Sequence, residues 1–151
     1  MKNTYSLEIA APPERVFSWI NDGERLMQWL PNLVENEVVD AKKGGLGSKI
    51  RQVYLENGRR MEMAGEVTGF EPGRFLACDL HGQPFDLKVA YRLESLGGRT
   101  RLTQDSEVIP KSLPMKIMMT LLAPFMKKAA RKLADASFTK LKRLIESSTM
   151  R

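Results

Sequence analysis

Residues that build metal sites and covalent cross-links are scarce in this sequence. Its 151 residues include one cysteine, Cys78, and one histidine, His81. A single cysteine excludes an internal disulfide and every cysteine-rich zinc signature, and a single histidine excludes a multi-histidine metal site. We therefore expect no metal and no cofactor. We also expect a buried, unreactive Cys78 thiol, because no His or Lys adjoins it in the sequence to lower its pKa.

Long apolar stretches are missing as well. The longest, residues 117–126, contains Thr120 and Pro124 and is shorter than the roughly 18–20 residues that span a bilayer. The N-terminal residues turn directly into an alternating strand pattern, without the apolar core of a signal peptide. These two absences predict a cytoplasmic protein.

The common catalytic and nucleotide-binding motifs are absent too. The sequence contains no GxSxG, no P-loop, no GxGxxG and no metal-ligand spacing. His81 stands alone at a predicted strand end next to Gly82, a position more typical of a surface residue than of a general acid or base. Most carboxylates fall on outward strand positions, where lysines and arginines can pair with them. We therefore predict no catalytic residue.

Positive charge is concentrated towards the C-terminal end. The net charge is +6, and residues 111–151 hold ten lysines and arginines but only two acidic residues. The simplest interpretation is a solvated outer helix face, and the alternative is contact with an anionic membrane surface. Nucleic acid is not expected as a partner, because the rest of the chain lacks the basic-aromatic pattern of RNA-binding domains.

Short strands account for most of the first 110 residues. The clearest is FDLKVAYRL, residues 85–93, in which apolar odd positions alternate with mostly charged even positions. This alternation is typical of an antiparallel sheet that is buried on one face only. Two short helices, one opened by Pro12-Pro13 and one over residues 24–29, interrupt the strands. The predicted strands are residues 3–10, 33–40, 48–55, 60–70, 74–81, 85–94 and 100–109.

One long amphipathic helix is predicted over residues 112–148. With about 100° between successive residues, an apolar stripe lies opposite an arc of lysines and arginines. The stripe consists of Met126, Ala129, Ala130, Leu133, Ser137, Leu141 and Leu144. A helix that closes a strand-rich chain has to bury such a stripe against the sheet. The prediction is an α+β fold, with a seven-stranded curved antiparallel sheet around this helix, in a single domain over residues 1–151.

Six short segments resemble, in the same order, those of a known protein group. They are residues 7–17 (LEIAAPPERVF), Asp22 with Trp29-Leu30-Pro31, Gly47, residues 70–76 (FEPGRFL), residues 97–103 (GGRTRLT) and residues 141–146 (LKRLIE). The chain is similar to the helix-grip proteins of the START/Bet v 1-like (SRPBCC) superfamily, and most of all to their polyketide cyclase/dehydrase-like branch. That superfamily includes carriers of lipids and other hydrophobic ligands, aromatase/cyclases, coenzyme Q-binding proteins and activators of chaperone ATPases.

The resemblance implies a hydrophobic cavity between the sheet and the C-terminal helix, and it carries over no catalytic residue. The alternation of the strands and the helix stripe predict which side chains line that cavity. They are Gln52, Tyr54, Met61, Met63, Leu76, Cys78, Leu80, Phe85, Leu87, Val89, Tyr91, Leu102, Gln104, Ser106, Val108, Leu122, Phe125, Met126, Ala129 and Leu133. Such a lining, apolar with a few hydrogen-bonding groups, suits a small apolar ligand, but it also suits a filled core.

The first functional hypothesis is therefore binding, transport or sequestration of a small hydrophobic molecule, such as a lipid, a polyketide or a quinone-like compound. Its polar end would be oriented by Tyr54, Tyr91, Gln52 or Gln104. The second is a cyclase or dehydratase in which a tyrosine donates a proton. The third is a module that docks on a membrane or a protein through the basic C-terminal helix. The chain would act as a monomer or a homodimer.

Overall fold

Seven β-strands and four α-helices form the part of the chain that the computed structural model describes, residues 1–149. In chain order they are β1 (Lys2–Ile9), α1 (Pro13–Asn21), α2 (Gly23–Trp29), β2 (Leu33–Asp40), β3 (Lys49–Glu56), β4 (Arg59–Glu71), β5 (Phe75–His81), β6 (Phe85–Ser95), β7 (Thr100–Pro110), α3 (Leu113–Leu121) and α4 (Ala123–Thr149). Every predicted strand is present, and its ends lie within one residue of the predicted ones.

All seven strands belong to one antiparallel sheet, in the order β1-β7-β6-β5-β4-β3-β2. Short turns between consecutive strands make the order from β2 to β7 accessible, because antiparallel neighbours need no crossover, and β1 pairs with β7 at the edge. The β3–β4 turn is the predicted Asn57-Gly58 hairpin, and both residues have the positive φ, 51° and 77°, that a type I′ turn requires. The predicted α+β helix-grip fold is confirmed.

A bulge in β4 changes which residues face the interior. The pairing of β4 with β5 shifts register between Val67 and Gly69, and an extra residue at a bulge bends a strand and resets its alternation. Val67 and Phe70, three positions apart, consequently both face the helices. Glycine at position 69 leaves room for the Phe75 ring, because an added Cβ would lie 2.4 Å from its Cε2 atom and displace it.

The predicted single helix over residues 112–148 is wrong, because the segment forms two helices, α3 and α4. Helix α3 ends at Leu121, and Leu122 leaves the helical conformation with φ −99° and ψ 7°. Pro124 lies in the first turn of α4. Proline has no N–H and its ring clashes with the carbonyl four residues earlier, so it starts a helix but cannot continue one.

The second half of α4 is the part that closes the core. Ser137, Phe138, Leu141 and Ile145 are buried there, whereas Met126 is half-buried and Ala129 and Leu133 are exposed. The predicted stripe is therefore buried in its second part, at Ser137 and Leu141, but not in its first part, because the sheet covers the helix only from about Ala134 onwards. Phe138 stacks on the Tyr5 ring of β1, with ring centroids 5.2 Å apart.

Trp29, at the end of α2, joins this helix to the sheet. Its ring lies against Phe138 and against Tyr91 of β6, at centroid distances of 5.4 and 6.4 Å. The indole Nε1 donates a hydrogen bond of 3.0 Å to the carbonyl oxygen of Trp19, so its one polar atom is satisfied inside the core. These contacts hold α2 beside the inner face of the sheet.

Candidate functional site

Two cavities lie between the inner face of the sheet and the helices. The α2 cavity has a volume of about 330 Å³ and lies between α1, α2 and strands β2 to β6. The α4 cavity has a volume of about 280 Å³ and lies between α4 and strands β3, β4, β6 and β7. The helix-grip arrangement creates both, because the helices cover a curved sheet without filling the space along its whole length.

The predicted lining residues divide between the two cavities. The α2 cavity is lined by Gln52, Tyr54, Leu76, Cys78, Leu80, Val89 and Tyr91. The α4 cavity is lined by Tyr54, Met61, Met63, Phe85, Leu87, Val89, Tyr91, Gln104 and Leu133. Tyr54, Val89 and Tyr91 occur in both sets, and Leu30, the residue after α2, also lines both cavities. These four side chains form the boundary between the cavities.

Seven residues of the predicted lining lie outside both cavities: Leu102, Ser106, Val108, Leu122, Phe125, Met126 and Ala129. Leu102 is fully buried in the packed core, and Ser106 faces a separate groove between β1, β7 and α4. Leu122, Phe125 and Ala129 are exposed, because the sheet does not reach the first turns of α4. Their apolar character therefore does not reflect cavity lining.

Other lining residues were not expected from the sequence. Helices α1 and α2 contribute Ile20, Asn21, Gly23 and Leu26, and Leu30 follows α2. The β2–β3 region contributes Asn36, Val38, Ala41, Gly45, Ser48 and Ile50. Sequence signals could have identified three of them. Leu26 and Leu30 are four residues apart, and Ile50 lies two residues before Gln52 and so on the same face of β3. Phe70 could not be assigned from alternation, because the β4 bulge reverses its side.

A chain of hydrogen bonds runs along one wall of the α2 cavity. The Tyr54 hydroxyl donates to Gln52 Oε1 at 2.8 Å, and Gln52 Nε2 donates to Asn36 Oδ1 at 3.0 Å. Asn36 needs the absence of a side chain at position 23, since a Cβ on Gly23 would lie 2.3 Å from Asn36 Nδ2. This chain fixes the Tyr54 ring at the boundary between the cavities.

Tyr91 is the second hydroxyl at this boundary. Its oxygen accepts a hydrogen bond of 3.0 Å from Gln104 Nε2. Within residues 1–149 this is the one hydrogen bond that the hydroxyl forms, so its hydrogen has no protein acceptor. A buried O–H without an acceptor is unfavourable, and a ligand oxygen at the junction of the two cavities would satisfy it.

Burial raises the pKa of both tyrosines at the boundary. Desolvation, with a smaller effect of Cys78, raises the pKa of Tyr54 to about 12. Desolvation also raises the pKa of Tyr91 well above its usual range, although the Gln104 hydrogen bond opposes this. Both tyrosines are therefore protonated hydrogen-bonding groups at neutral pH and weak acids there. Among the described lining residues, Glu56 of the α4 cavity is the one with a charged side chain.

His81 lies away from both cavities, at the end of β5. Its Nδ1 atom is 3.2 Å from an Asp86 carboxylate oxygen, and Lys111 Nζ approaches the same oxygen at 3.1 Å. Within residues 1–149, no three His, Cys, Asp or Glu side chains are arranged to hold a metal ion. No helix in that part of the chain is both long and apolar enough to cross a membrane.

The Cys78 thiol offers a direct test of the α2 cavity. Desolvation, with a smaller effect of Asp79, raises the pKa of this thiol from its usual 9.0 to about 11. At pH 8 its thiolate fraction is then about a hundredfold lower than that of an unperturbed thiol. We expect iodoacetamide to alkylate the folded chain about a hundredfold more slowly than the urea-unfolded chain, with the folded rate rising up to about pH 11.

Mass spectrometry of the alkylated chain measures this rate, and Cys78→Ala is the control for labelling at other residues. Equal rates in the folded and unfolded chains at pH 8 would show that Cys78 lies in water rather than beside an apolar cavity.

The fold and its apolar cavities define a START/Bet v 1-like protein. The family model described as polyketide cyclase / dehydrase and lipid transport matches residues 2–146. The chain therefore belongs to the polyketide cyclase / dehydrase and lipid transport family. No curated protein matches the sequence.

Solved structures of the same fold come from several bacteria. A START superfamily protein from Mycobacterium smegmatis is 21% identical, with 97% of each chain covered and a TM-score of 0.79. A Thermus thermophilus protein is 20% identical, covering 98% of this chain and 99% of its own, with a TM-score of 0.78. The Zhui aromatase/cyclase from a Streptomyces species is 13% identical, covering 97% and 93%, with a TM-score of 0.76. At these identities the likeness establishes the fold.

Proposed function

We propose that the chain binds a small hydrophobic molecule in the α2 and α4 cavities, with one polar atom of the ligand held at the boundary between them. The observation that carries this proposal is the Tyr91 hydroxyl, which is buried between two apolar cavities with no protein acceptor for its hydrogen among the described residues. A site lined by apolar groups with a few placed polar groups is the usual form of a small-molecule site.

The proposed ligand has an uncharged hydrogen-bond acceptor, such as a carbonyl oxygen, between two apolar parts. Tyr91 supplies the donor for that acceptor. Tyr54 is already bonded to Gln52, so its hydroxyl oxygen can accept from a ligand hydroxyl without breaking that bond. A charged ligand is disfavoured, because none of the described lining residues of the α2 cavity carries a charge that could pair with it.

The cavity volumes favour a compact ligand or an elongated one that crosses the boundary. About 330 and 280 Å³ each lie near the lower end of the roughly 300–1,000 Å³ usual for ligand sites. Leu30 lines both cavities, so its movement would open part of the boundary between them. Polyketides, lipids and quinone-like compounds all combine apolar bodies with carbonyl oxygens, and the family description names polyketide chemistry and lipid transport.

A cyclase or dehydratase remains the second candidate, and Tyr91 favours it because its proton is not committed to the protein. The raised pKa of Tyr91 makes it a weak proton donor at neutral pH. A ligand-binding role is therefore favoured over catalysis by this tyrosine. The two candidates differ in their response to Tyr91→Phe, which weakens ligand affinity in a binding protein and abolishes turnover in an enzyme.

Titration with 1,4-naphthoquinone tests the proposal. This neutral quinone carries carbonyl acceptors and quenches tryptophan fluorescence, and Trp29 lies against the Tyr91 ring. We expect saturable quenching. Tyr91→Phe should weaken the affinity about 2- to 12-fold, which corresponds to one hydrogen bond of about 0.5–1.5 kcal/mol.

Tyr5→Phe is the matched control, because it removes a tyrosine hydroxyl bonded to Asp135 outside both cavities and should leave the affinity unchanged. Linear quenching without saturation would contradict a binding cavity. Equal affinities of the wild type and Tyr91→Phe would contradict the role of this hydroxyl.

A further inference from the structure

A second surface of the protein is apolar but faces outwards. We name it the α3–α4 elbow, and it consists of Leu113, Ile117, Met118, Leu121, Leu122 and Phe125. Leu121 and Phe125 are the most exposed, at 72% and 73% of their full surface. A group of large apolar side chains exposed together is typical of an interaction site, whereas single exposed apolar residues need no explanation.

Packing of the fold does not account for the elbow. Met119 is the one residue of α3 that is buried, and Met115 is half-buried. Leu113, Ile117 and Leu121 follow each other at four-residue intervals, so they form one stripe on a face of α3 that turns away from Met119. The stripe therefore has no partner among residues 1–149.

Positive charge is concentrated in the same segment of the chain. Residues 111–134 contain six cationic side chains and no acidic one: Lys111, Lys116, Lys127, Lys128, Arg131 and Lys132. All six belong to exposed residues. Of these six side chains, Lys111 alone forms an ion pair with a described residue, at 3.1 Å to Asp86. The other five cations are therefore available to external anions.

We infer that the elbow docks on an anionic lipid bilayer. Leu121 and Phe125 would enter the boundary between headgroups and acyl chains, and the lysines around them would contact anionic headgroups, as in amphipathic helices that lie on membranes. No crossing of the bilayer is involved. This surface is separate from the two cavities, so docking does not depend on what they bind.

Charge complementarity distinguishes a membrane from a second copy of the chain. In a two-fold dimer the same surface of each subunit meets the other, so the elbows would bring two sets of cations together. Nucleic acid offers the anions, but its phosphate backbone offers no apolar partner for Leu121 and Phe125. An anionic bilayer supplies both partners at once.

Docking would place the membrane near the α4 cavity, and this step rests on the proposed function. Ala130 and Leu133 line that cavity, five and eight residues after Phe125 on the same helix. At about 1.5 Å per residue, these positions are about 8 and 12 Å along the axis from Phe125. A hydrophobic ligand could then pass between bilayer and cavity over a short path.

Flotation of the full-length chain with lipid vesicles tests the inference. We expect binding to phosphatidylcholine vesicles that contain phosphatidylglycerol, little binding to pure phosphatidylcholine, and weakening as salt screens the charges. The double variant Leu121→Ser with Phe125→Ser should bind roughly tenfold more weakly, because it removes the inserted apolar groups. Val39→Ser is the matched control, since Val39 is also an exposed apolar residue but belongs to β2 and not to the elbow.

A fluorescent reporter at the elbow adds a second measurement. Phe125→Trp should shift its emission to shorter wavelength on phosphatidylglycerol vesicles and be quenched by lipids brominated on their acyl chains. The inference is overturned if the chain fails to float with phosphatidylglycerol vesicles at low salt. It is also overturned if the double serine variant floats as well as the wild type, or if that variant instead abolishes a dimer seen by gel filtration. Naphthoquinone binding should be unchanged in the double variant, which separates failure of docking from failure of the cavities.

Discussion

Phe138→Ala is expected to lower the free energy of unfolding by about 3–5 kcal/mol. Phe138 is 2% exposed and its ring lies against both Tyr5 of β1 and Trp29 of α2. Removing it leaves a hole where three elements of the structure meet. Rigid aromatic neighbours on two sides limit collapse of the site, and the lost ring contacts add to the lost burial.

Urea unfolding followed by tryptophan fluorescence measures this change as a lower midpoint at an unchanged slope. Phe125→Ala is the matched control on the same helix. Phe125 is exposed, so its replacement should change stability by about 0.5 kcal/mol or less. A similar loss for both variants would contradict the assignment of Phe138 to the core and Phe125 to the surface.

Val89→Phe is expected to abolish ligand binding, with a loss of affinity of about a hundredfold or more. Val89 lines both cavities at their boundary, so one added ring takes space from each of them and covers the Tyr91 hydroxyl. The fold should tolerate this change, because the ring enters existing space instead of displacing packed neighbours.

Lys88→Phe is the matched control for this variant, because it adds the same ring to the neighbouring, exposed position of β6. Naphthoquinone titrations should give wild-type affinity for Lys88→Phe and no saturation for Val89→Phe, with both variants unfolding cooperatively. Wild-type affinity in Val89→Phe would show that the ligand occupies neither cavity.

The sheet could be predicted from the sequence because its signals are local. In β6 the apolar and charged positions alternate over most of the strand, and the turns at Asn57-Gly58 and Gly97-Gly98 lie where φ is positive. The sequence of each strand therefore indicates where the strand begins and ends and which of its faces is buried. Short turns then leave antiparallel neighbours as the natural pairing from β2 to β7, whereas the pairing of β1 with β7 joins the two ends of the sheet-forming segment and has no local signal.

The boundaries of the site depend on contacts between distant segments, and local patterns do not contain them. The helical stripe has the same periodicity where the sheet covers it, at the buried Leu141, as where it is exposed, at Ala129. The helix therefore looked longer and more buried than it is. The β4 bulge brings Phe70 inward for a similar reason, because register is set by the partner strand as well as by the sequence.

Helices α1 and α2 were predicted as helices, yet their part in the site was missed. Leu26 and Leu30 show the spacing of a buried face, but that spacing does not say whether the face meets packed core or open cavity. Tyr91 and Gln104 were placed together among the inward residues of β6 and β7, which pair directly at this point. Where two neighbouring antiparallel strands and their register can be predicted, a contact between opposite polar residues, such as Tyr91 and Gln104, can be predicted too.

Native mass spectrometry of the full-length chain, purified gently from its expression host, tests most directly that the two cavities bind a hydrophobic ligand. Organic extraction of the same sample would identify what is bound. We expect an added mass from an apolar, uncharged molecule in the wild type, and its absence in Val89→Phe. A wild-type mass equal to that of the chain alone, together with no saturable binding of naphthoquinone, would contradict it.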